Sequence, residues 1–538
     1  MVKSSKAQNN HFNLIRASSL MMHSIKDSIL VRLIIITFLL FFFCQIKISL
    51  AEELTSLPPV PLARQTAPTL TNIRYSVTKE KVRVVFDFDQ RISYQVSPLV
   101  SPPQITINFK ANLRETLILP ILINDRVVKG VRSQESEVRS EKSEVRSQKS
   151  KVKSQKSEVK SQKSLVTSLI IDLSYFVPFN YFTLVDPERL VFDFFKIYEH
   201  KSETFFVPGL KVSQIKKGTT SGPLSINVLD VDANNSSLKV KPVLSAQKLK
   251  VSKPLSLIVK ENKALGGING GYFAKGGLPL GLLLLDGEII KEDIFSRSSL
   301  GITEGGRIII DNLRFKGSLV NSRGESLLLS GINRPRGEEE IILYTPWFGK
   351  TTQTNIWGKD FVIIDNKVSA VYGGNAGIPP QGCVVSFQGE KAKLALGLLP
   401  VGEKVKLNLE IKPYSGELEF ALGAGPRLIK DGDVYITSDL EHFKPDIALG
   451  RSPRSAVGVT LDNHLLLVAV DGRQKDFSIG MTLEELAKFL LTLKASEALN
   501  LDGGASTAMV VGDKVLNRPS SGGRKIPTSL LIYQKAKD

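Results

Sequence analysis

The chain has 538 residues, enough for more than one domain with a core of its own. Apolar residues make up 42% and charged residues 23%, which excludes a wholly disordered chain. The net charge of +18 suggests nucleic acid, but more than half of the excess lies in residues 1–32 and in the segment 129–164, with its 11 Lys/Arg against 5 Glu. No basic stripe with interleaved aromatics occurs, so no nucleic-acid partner is expected.

At the N-terminus, Arg32 precedes an apolar run over 33–44, and Ser49, Leu50 and Ala51 form a small-residue cleavage region. The run is 12 residues long, short of the roughly 20 that a spanning helix needs. Residues 1–51 read as an export signal or, if uncleaved, as an N-terminal anchor and the one expected membrane contact. Met21 and Met22 are alternative starts that would shorten its leading part. Cleavage would leave Cys383 as the remaining cysteine, and an exported chain without disulfides suits a bacterial envelope or periplasm. Residues 52–70 are Pro-rich and read as a linker.

From 71 to 198 the chain alternates apolar and polar residues in short runs (73–77, 82–88, 105–109, 169–173, 182–185, 190–195), with no helical period. A small β-sandwich is expected. The stretches IRYSVTKEKVRVVFDFD (73–89) and VDPERLVFDFF (185–195) resemble the AMIN family of bacterial envelope domains. That resemblance implies a periplasmic β-sandwich that localises its host, with peptidoglycan as a partner. A seven-residue repeat interrupts this domain at 130–165. It has one Val per heptad where a coiled coil needs two apolar positions, so a solvated insertion is expected.

The larger unit, 205–538, mixes strands with helix and reads as a β-rich α+β domain. Thr482 and Glu485 form a capping box, and Leu486, Phe489, Leu490 and Leu493 share one helical face. That helix leads into the run NLDGGASTAMV (500–510), in which a carboxylate, two glycines and two hydroxyls lie between apolar stretches. The motifs INGGYF (268–273), PLGLLLLDGE (279–288), GAGPRLIKDG (423–432), SPRSAVGV (452–459), DGR with GMTLEELA (471–487) and NLDGGASTAMV resemble the phosphodiester glycosidase family in order and spacing. Two positions depart from its pattern. Ala505 stands where the family usually has a third glycine, and Ser455 where it often has Thr.

The resemblance implies an exported hydrolase that cleaves the sugar–phosphate glycosidic bond of a sugar-1-phosphodiester. A phosphoglycan of the envelope or exopolysaccharide would be the substrate. A leaving phosphate monoester is already stable near neutrality, with a second pKa of about 6, so it needs cations and N–H donors more than a general acid. Arg454 and Arg524 suit its oxygens. The Gly503 and Gly504 amides and the Ser506 and Thr507 hydroxyls are further donors. Asp502 is the first candidate for the carboxylate at the sugar carbon and Asp471 the second. Asn269 is a candidate for a sugar hydroxyl or acetamido group. Bland readings stand beside these: a structural ion pair for Arg454, turn-capping for Asp471 and Asn269, and local backbone bonds for Ser506 and Thr507. A non-catalytic glycan binder using the same loops is the alternative function. His11, His23, His200, His442 and His464 show no ligand spacing, so neither a metal nor a cofactor is expected.

Overall fold

The computed structural model describes residues 67–134 and 165–535. The expected export signal, nearly all of the Pro-rich linker and the heptad repeats lie outside these residues. The described chain is β-rich with few helices, and its strands form six sheets. None of its helices is long and apolar enough to cross a membrane.

In the N-terminal part nine strands join in one sheet. Alternation in Lys81–Phe88 puts Val82, Val84, Phe86 and Phe88 into the core, as the sequence pattern requires. These side chains share one cluster with Ile105, Ile107, Leu169, Ile171, Phe192 and Phe194. Phe86 and Phe192 meet edge to face at 5.9 Å. Strands Val128–Ser133 and Leu165–Leu173 are antiparallel neighbours, so the low-complexity segment joins adjacent strands of this sheet.

The sequence suggests a linker over 198–204, but the chain there forms the strand Tyr198–Val207. That strand pairs antiparallel with Leu210–Gly218 through a tight turn, in which Gly209 has φ of +84°. The hairpin holds in place a polar segment that has no apolar pattern of its own. The strand opens an eight-stranded sheet with Pro223–Asp232, His464–Val470, Arg454–Thr460, Ala495–Asn500 and Arg427–Lys430 at its centre. A five-stranded sheet contains Leu238–Leu244, Thr528–Gln534, Gly266–Asn269 and Met509–Val511. The two sheets share a core in which Leu229, Val457, Leu467 and Leu499 of the first meet Ile268, Met509, Leu530 and Ile532 of the second. Residues 501–508 carry the chain from one sheet to the other, so the DGGAST loop is a crossover pinned at both ends by buried strands.

Helix Leu483–Thr492 begins at the expected capping box: the Thr482 hydroxyl accepts from the Glu485 amide and the Glu485 carboxylate from the Thr482 amide. Leu483, Leu486, Ala487 and Leu490 bury against the eight-stranded sheet, in one cluster with Ala456, Leu466 and Val468, and Phe489 and Leu493 flank that contact. The larger unit also contains the helices Leu255–Glu261 and Glu390–Leu398, of 7 and 9 residues, and the single turn Pro445–Ala448. All are too short to show a clear helical period in sequence. Both parts of the chain belong to one unit, Pro68–Asp538.

Candidate active site

The crossover loop is built from its backbone outward. The Asp502 amide donates to the Gly270 carbonyl (3.2 Å) and the Gly504 amide to the Pro453 carbonyl (2.9 Å), which ties the loop to both sheets. Gly503 packs so closely that a Cβ there would sit 2.8 Å from the Pro453 oxygen. Gly504 has φ of +62°, and a Cβ there would come within 3.3 Å of the Arg473 guanidinium. Residues Gly504–Ser506 form a single 3₁₀ turn that packs against the turn Ser520–Gly522. Ala505 has no positive φ, so the family's glycine is not needed for the backbone to take this path.

Asp502 is half-buried, and its carboxyl is pushed up to about 6, chiefly by burial. Ser506, the nearby charge of Arg524 and the Gly503 amide pull it down, but they do not win. The Ser506 hydroxyl leans toward this carboxylate without reaching full hydrogen-bond geometry.

Arg524 is the cation whose charge reaches this carboxyl, while the Arg454 backbone and the Arg473 guanidinium pack against Gly503 and Gly504. Arg454 is 3% exposed, and its guanidinium donates to the carbonyls of Met481 (3.0 Å), Ile447 (3.1 Å) and Gly450. Among the described residues it forms no ion pair. Burial lowers its pKa, Tyr272 opposes that shift, and the like charge of Arg473 adds to it. A guanidinium has five N–H donors, so at least one further donor remains for an anion. Arg524 stacks over Phe273 at 4.4 Å, and Arg297 lies over Phe443 at 3.9 Å and near Tyr272. The Tyr272 hydroxyl donates to the Gly425 carbonyl (3.0 Å) and accepts from Asn500 (2.9 Å). Burial and Asp502 raise its pKa, while Arg454, Arg297 and the Asn500 hydrogen bond lower it. The buried hydroxyls of Ser506, Thr507, Ser520 and Thr528, with Asn500 Oδ1, have no hydrogen-bond partner among the described residues. These groups are sealed from solvent, so they lie inside the loop's packing rather than on its open face.

Several expected site residues have other work. The Asn269 amide group donates to the carbonyls of Asp502 (2.6 Å) and Gly270 (3.3 Å) and accepts from the Ser455 hydroxyl (2.7 Å) and the Ala508 amide (3.2 Å). Both of its polar atoms are committed, so it braces the loop rather than meeting a sugar. The Ser455 hydroxyl completes that brace, and Thr would supply the same group. Asp471 is 1% exposed and accepts from Ser225 (3.0 Å), Asn517 (3.2 Å) and the Arg518 amide (2.7 Å). Burial raises its pKa, and those donors lower it. It is locked into structure rather than presented to a substrate. The Gly504 amide is likewise committed, and the Gly503 amide serves Asp502's own carboxylate.

Tyr272, Arg297, Arg473 and Asn500 join the site from separate stretches, although Tyr272, Arg473 and Asn500 lie inside the motifs INGGYF, DGR and NLDGGAST. A further carboxylate, Glu441, lies behind Gly425 and accepts from both the amide and the hydroxyl of Ser298. Among the described residues no group of three or more His, Cys, Asp or Glu side chains could hold a metal ion.

An expected outcome follows for Asn269→Ala. Removing a buried amide that serves four partners should destabilise the fold by roughly 2–4 kcal/mol, read from denaturant unfolding. Unchanged stability would show that Asn269 does not brace the loop.

Residues 358–533 match the model of the phosphodiester glycosidase family. The chain carries a phosphodiester glycosidase domain. The matched stretch contains Arg454, Arg473, Asp502 and Arg524, and the fold brings Asn269 and Tyr272 to it from outside. The chain is 33% identical over 102 residues to the N-acetylglucosamine-1-phosphodiester alpha-N-acetylglucosaminidase of Bos taurus. That similarity covers 17% of this chain and 19% of the bovine protein, so it spans about a fifth of the relative's length. Two crystal structures share the fold. A hypothetical protein from Synechocystis has a TM-score of 0.58 at 21% identity, covering 88% of this chain and 81% of its own. A Burkholderia pseudomallei K96243 protein described as exported has a TM-score of 0.55 at 19% identity, covering 63% of this chain and 96% of its own.

Proposed function

We propose that the glycosidase domain, expected over 205–538 and opened by the strand Tyr198–Val207, hydrolyses the sugar–phosphate glycosidic bond of a sugar-1-phosphodiester. The observation that carries this reading is Arg454, a buried guanidinium with no acid partner among the described residues, whose backbone packs against Gly503, next to an Asp502 carboxyl held near neutrality. An unpaired buried cation is costly, and a bound phosphate would offset that cost. In this reading Arg454, Arg473 and Arg524 hold the phosphate and stabilise the charge that develops as the C1–O bond breaks. Ionised Asp502 faces the sugar carbon as nucleophile, as electrostatic stabiliser or as base for water. A phosphate monoester leaves without protonation, which fits a site where Asp471 and Glu441 are both locked in hydrogen bonds.

The bovine relative's name supports an N-acetylglucosamine-1-phosphodiester as the first substrate to try. In this proposal the protein is exported to the bacterial periplasm or envelope, where a phosphoglycan would be its substrate. Residues 71–198 serve as an AMIN-like localisation domain that meets peptidoglycan.

The test is incubation of the full chain with a panel of sugar-1-phosphodiesters and an assay for reducing sugar. Release from at least one member is expected. Saturable binding without product over long incubation would replace this reading with a glycan-binding one.

A further inference from the structure

We propose that Arg126, in the turn between Ile121–Leu122 and Val128–Ser133 of the N-terminal sheet, is a positioning residue for the candidate site: by gripping the turn at 219–222 it fixes the loop 471–481, and with it Arg473. This rests on the phosphate-site reading above and assigns a part in that site to a domain outside it.

The chain of contacts is continuous. Arg126 donates through Nη2 to the Thr219 carbonyl (2.7 Å) and through Nη1 to the Thr220 carbonyl. Its own backbone is firmly held, because the neighbouring Asp125 pairs with Lys196 at 2.6 Å and Val127 is fully buried. The gripped turn closes through the Thr219 amide and hydroxyl, both donating to the Gly222 carbonyl (3.0 and 2.8 Å).

The turn then holds the loop. A Cβ on Gly222 would meet the Ile479 side chain at 3.0 Å. The Ile479 amide donates to the Pro223 carbonyl (2.9 Å), and the Ser225 amide donates to the Ser478 hydroxyl (3.0 Å). Ser478 in turn donates to the Asp471 carbonyl (2.6 Å), and Lys216 lies 4.1 Å over the Phe477 ring. Tyr175, just after the strand Leu165–Leu173, feels the charges of Arg126 and of Asp476 in the loop, and burial chiefly pushes its phenol up to about 12.

On its other side the loop closes on the residues that lead into Arg454. A Cβ on Gly472 would sit 2.6 Å from the Pro453 nitrogen, and one on Gly480 would sit 2.4 Å from the Ser452 oxygen. Arg473 lies between these two glycines with φ of +59° and faces Gly504 and Arg454. Two guanidinium groups side by side repel, so Arg473 stays only where its loop is clamped. The clamp runs through Ile479, Ser478 and the 219–222 turn to Arg126.

The experiment compares the full-length wild type with Arg126→Ala and Arg126→Lys. It reads hydrogen exchange over 474–479 and the affinity for inorganic phosphate by calorimetry. In Arg126→Ala, exchange over 474–479 should rise while exchange over Lys81–Phe88 stays as it was. Phosphate should bind about three- to tenfold more weakly, the range expected of a coupling through packed neighbours. Lysine keeps the charge but not the two-pronged grip, so its effect should be intermediate. On a turned-over diester kcat/KM should fall by about the same three- to tenfold, because Arg473 meets charge that develops in the transition state.

Unchanged exchange over 474–479, or unchanged phosphate affinity, in Arg126→Ala overturns the proposal. If that variant unfolds as a whole, Arg126→Lys decides by the same two readings. A wild type that does not bind phosphate contradicts the phosphate-site reading instead, and the exchange result still judges the clamp.

Discussion

Arg454→Ala should lower kcat/KM on a sugar-1-phosphodiester by about 10²–10³-fold, the scale of losing one preorganised donor to transition-state charge. The hydrogen bonds of this side chain set that expectation. Three backbone carbonyls hold the guanidinium in place, and no acid among the described residues neutralises it. The fold accepts a buried charge that it does not pair, and a ligand phosphate is the missing partner. Arg454→Lys should restore little, because an ammonium cannot span three carbonyls and still present a donor to phosphate. The variant should remain folded, since removing an uncompensated charge relieves the fold as well as costing hydrogen bonds. The measurement is steady-state kinetics beside a thermal melt. Wild-type turnover in Arg454→Ala would remove the phosphate role from this residue.

Asp502→Asn should abolish turnover to the same degree or more, and the wild-type pH profile should show why. With the carboxyl at about 6 and the ionised form active, kcat/KM should climb as pH rises through about 6 and level off above it. The diester carries no group that titrates in this range, so the midpoint belongs to the enzyme. A rate that instead falls above pH 6 would make Asp502 a general acid.

The same shift predicts a stability change of opposite benefit. The folded pKa lies above the unfolded value of 3.8, so the fold disfavours the ionised form. That cost is absent below pH 3.8, grows between 3.8 and about 6, and is complete above it, on the order of 2–3 kcal/mol. Asp502→Asn should therefore melt higher than wild type at pH 7.5 and lose that advantage at pH 3.5.

The parts of the fold that were legible in the sequence are those written locally. The capping box at Thr482 and the apolar face of its helix depend on neighbours three and four residues away. The strands at Lys81–Phe88 and His464–Val470 show in their apolar content. The strand Tyr198–Val207 was not legible, because its polar residues are held by a hairpin partner rather than by a buried face.

The site divides in the same way. Asp502 and Arg454 stand in motifs whose residue types suggest phosphate chemistry, and the fold brings the Arg454 backbone to Gly503 and the charge of Arg524, from the tail beyond those motifs, to Asp502. Asn269 and Asp471 stand in such motifs too, but burial and full sets of hydrogen bonds make them braces. No residue type tells those cases apart, because the difference lies in which partners the tertiary fold supplies. Arg297 and Glu441 come from stretches with no motif of their own and could be found only through their contacts with Phe443 and Gly425.

The central claim is that water attacks the sugar carbon and that phosphate leaves. Hydrolysis in ¹⁸O-labelled water, read by mass spectrometry of both products, tests it most directly. The label should appear on the anomeric hydroxyl of the released sugar, with none in the phosphate monoester. Label in the phosphate monoester would mean P–O cleavage and would contradict the claim.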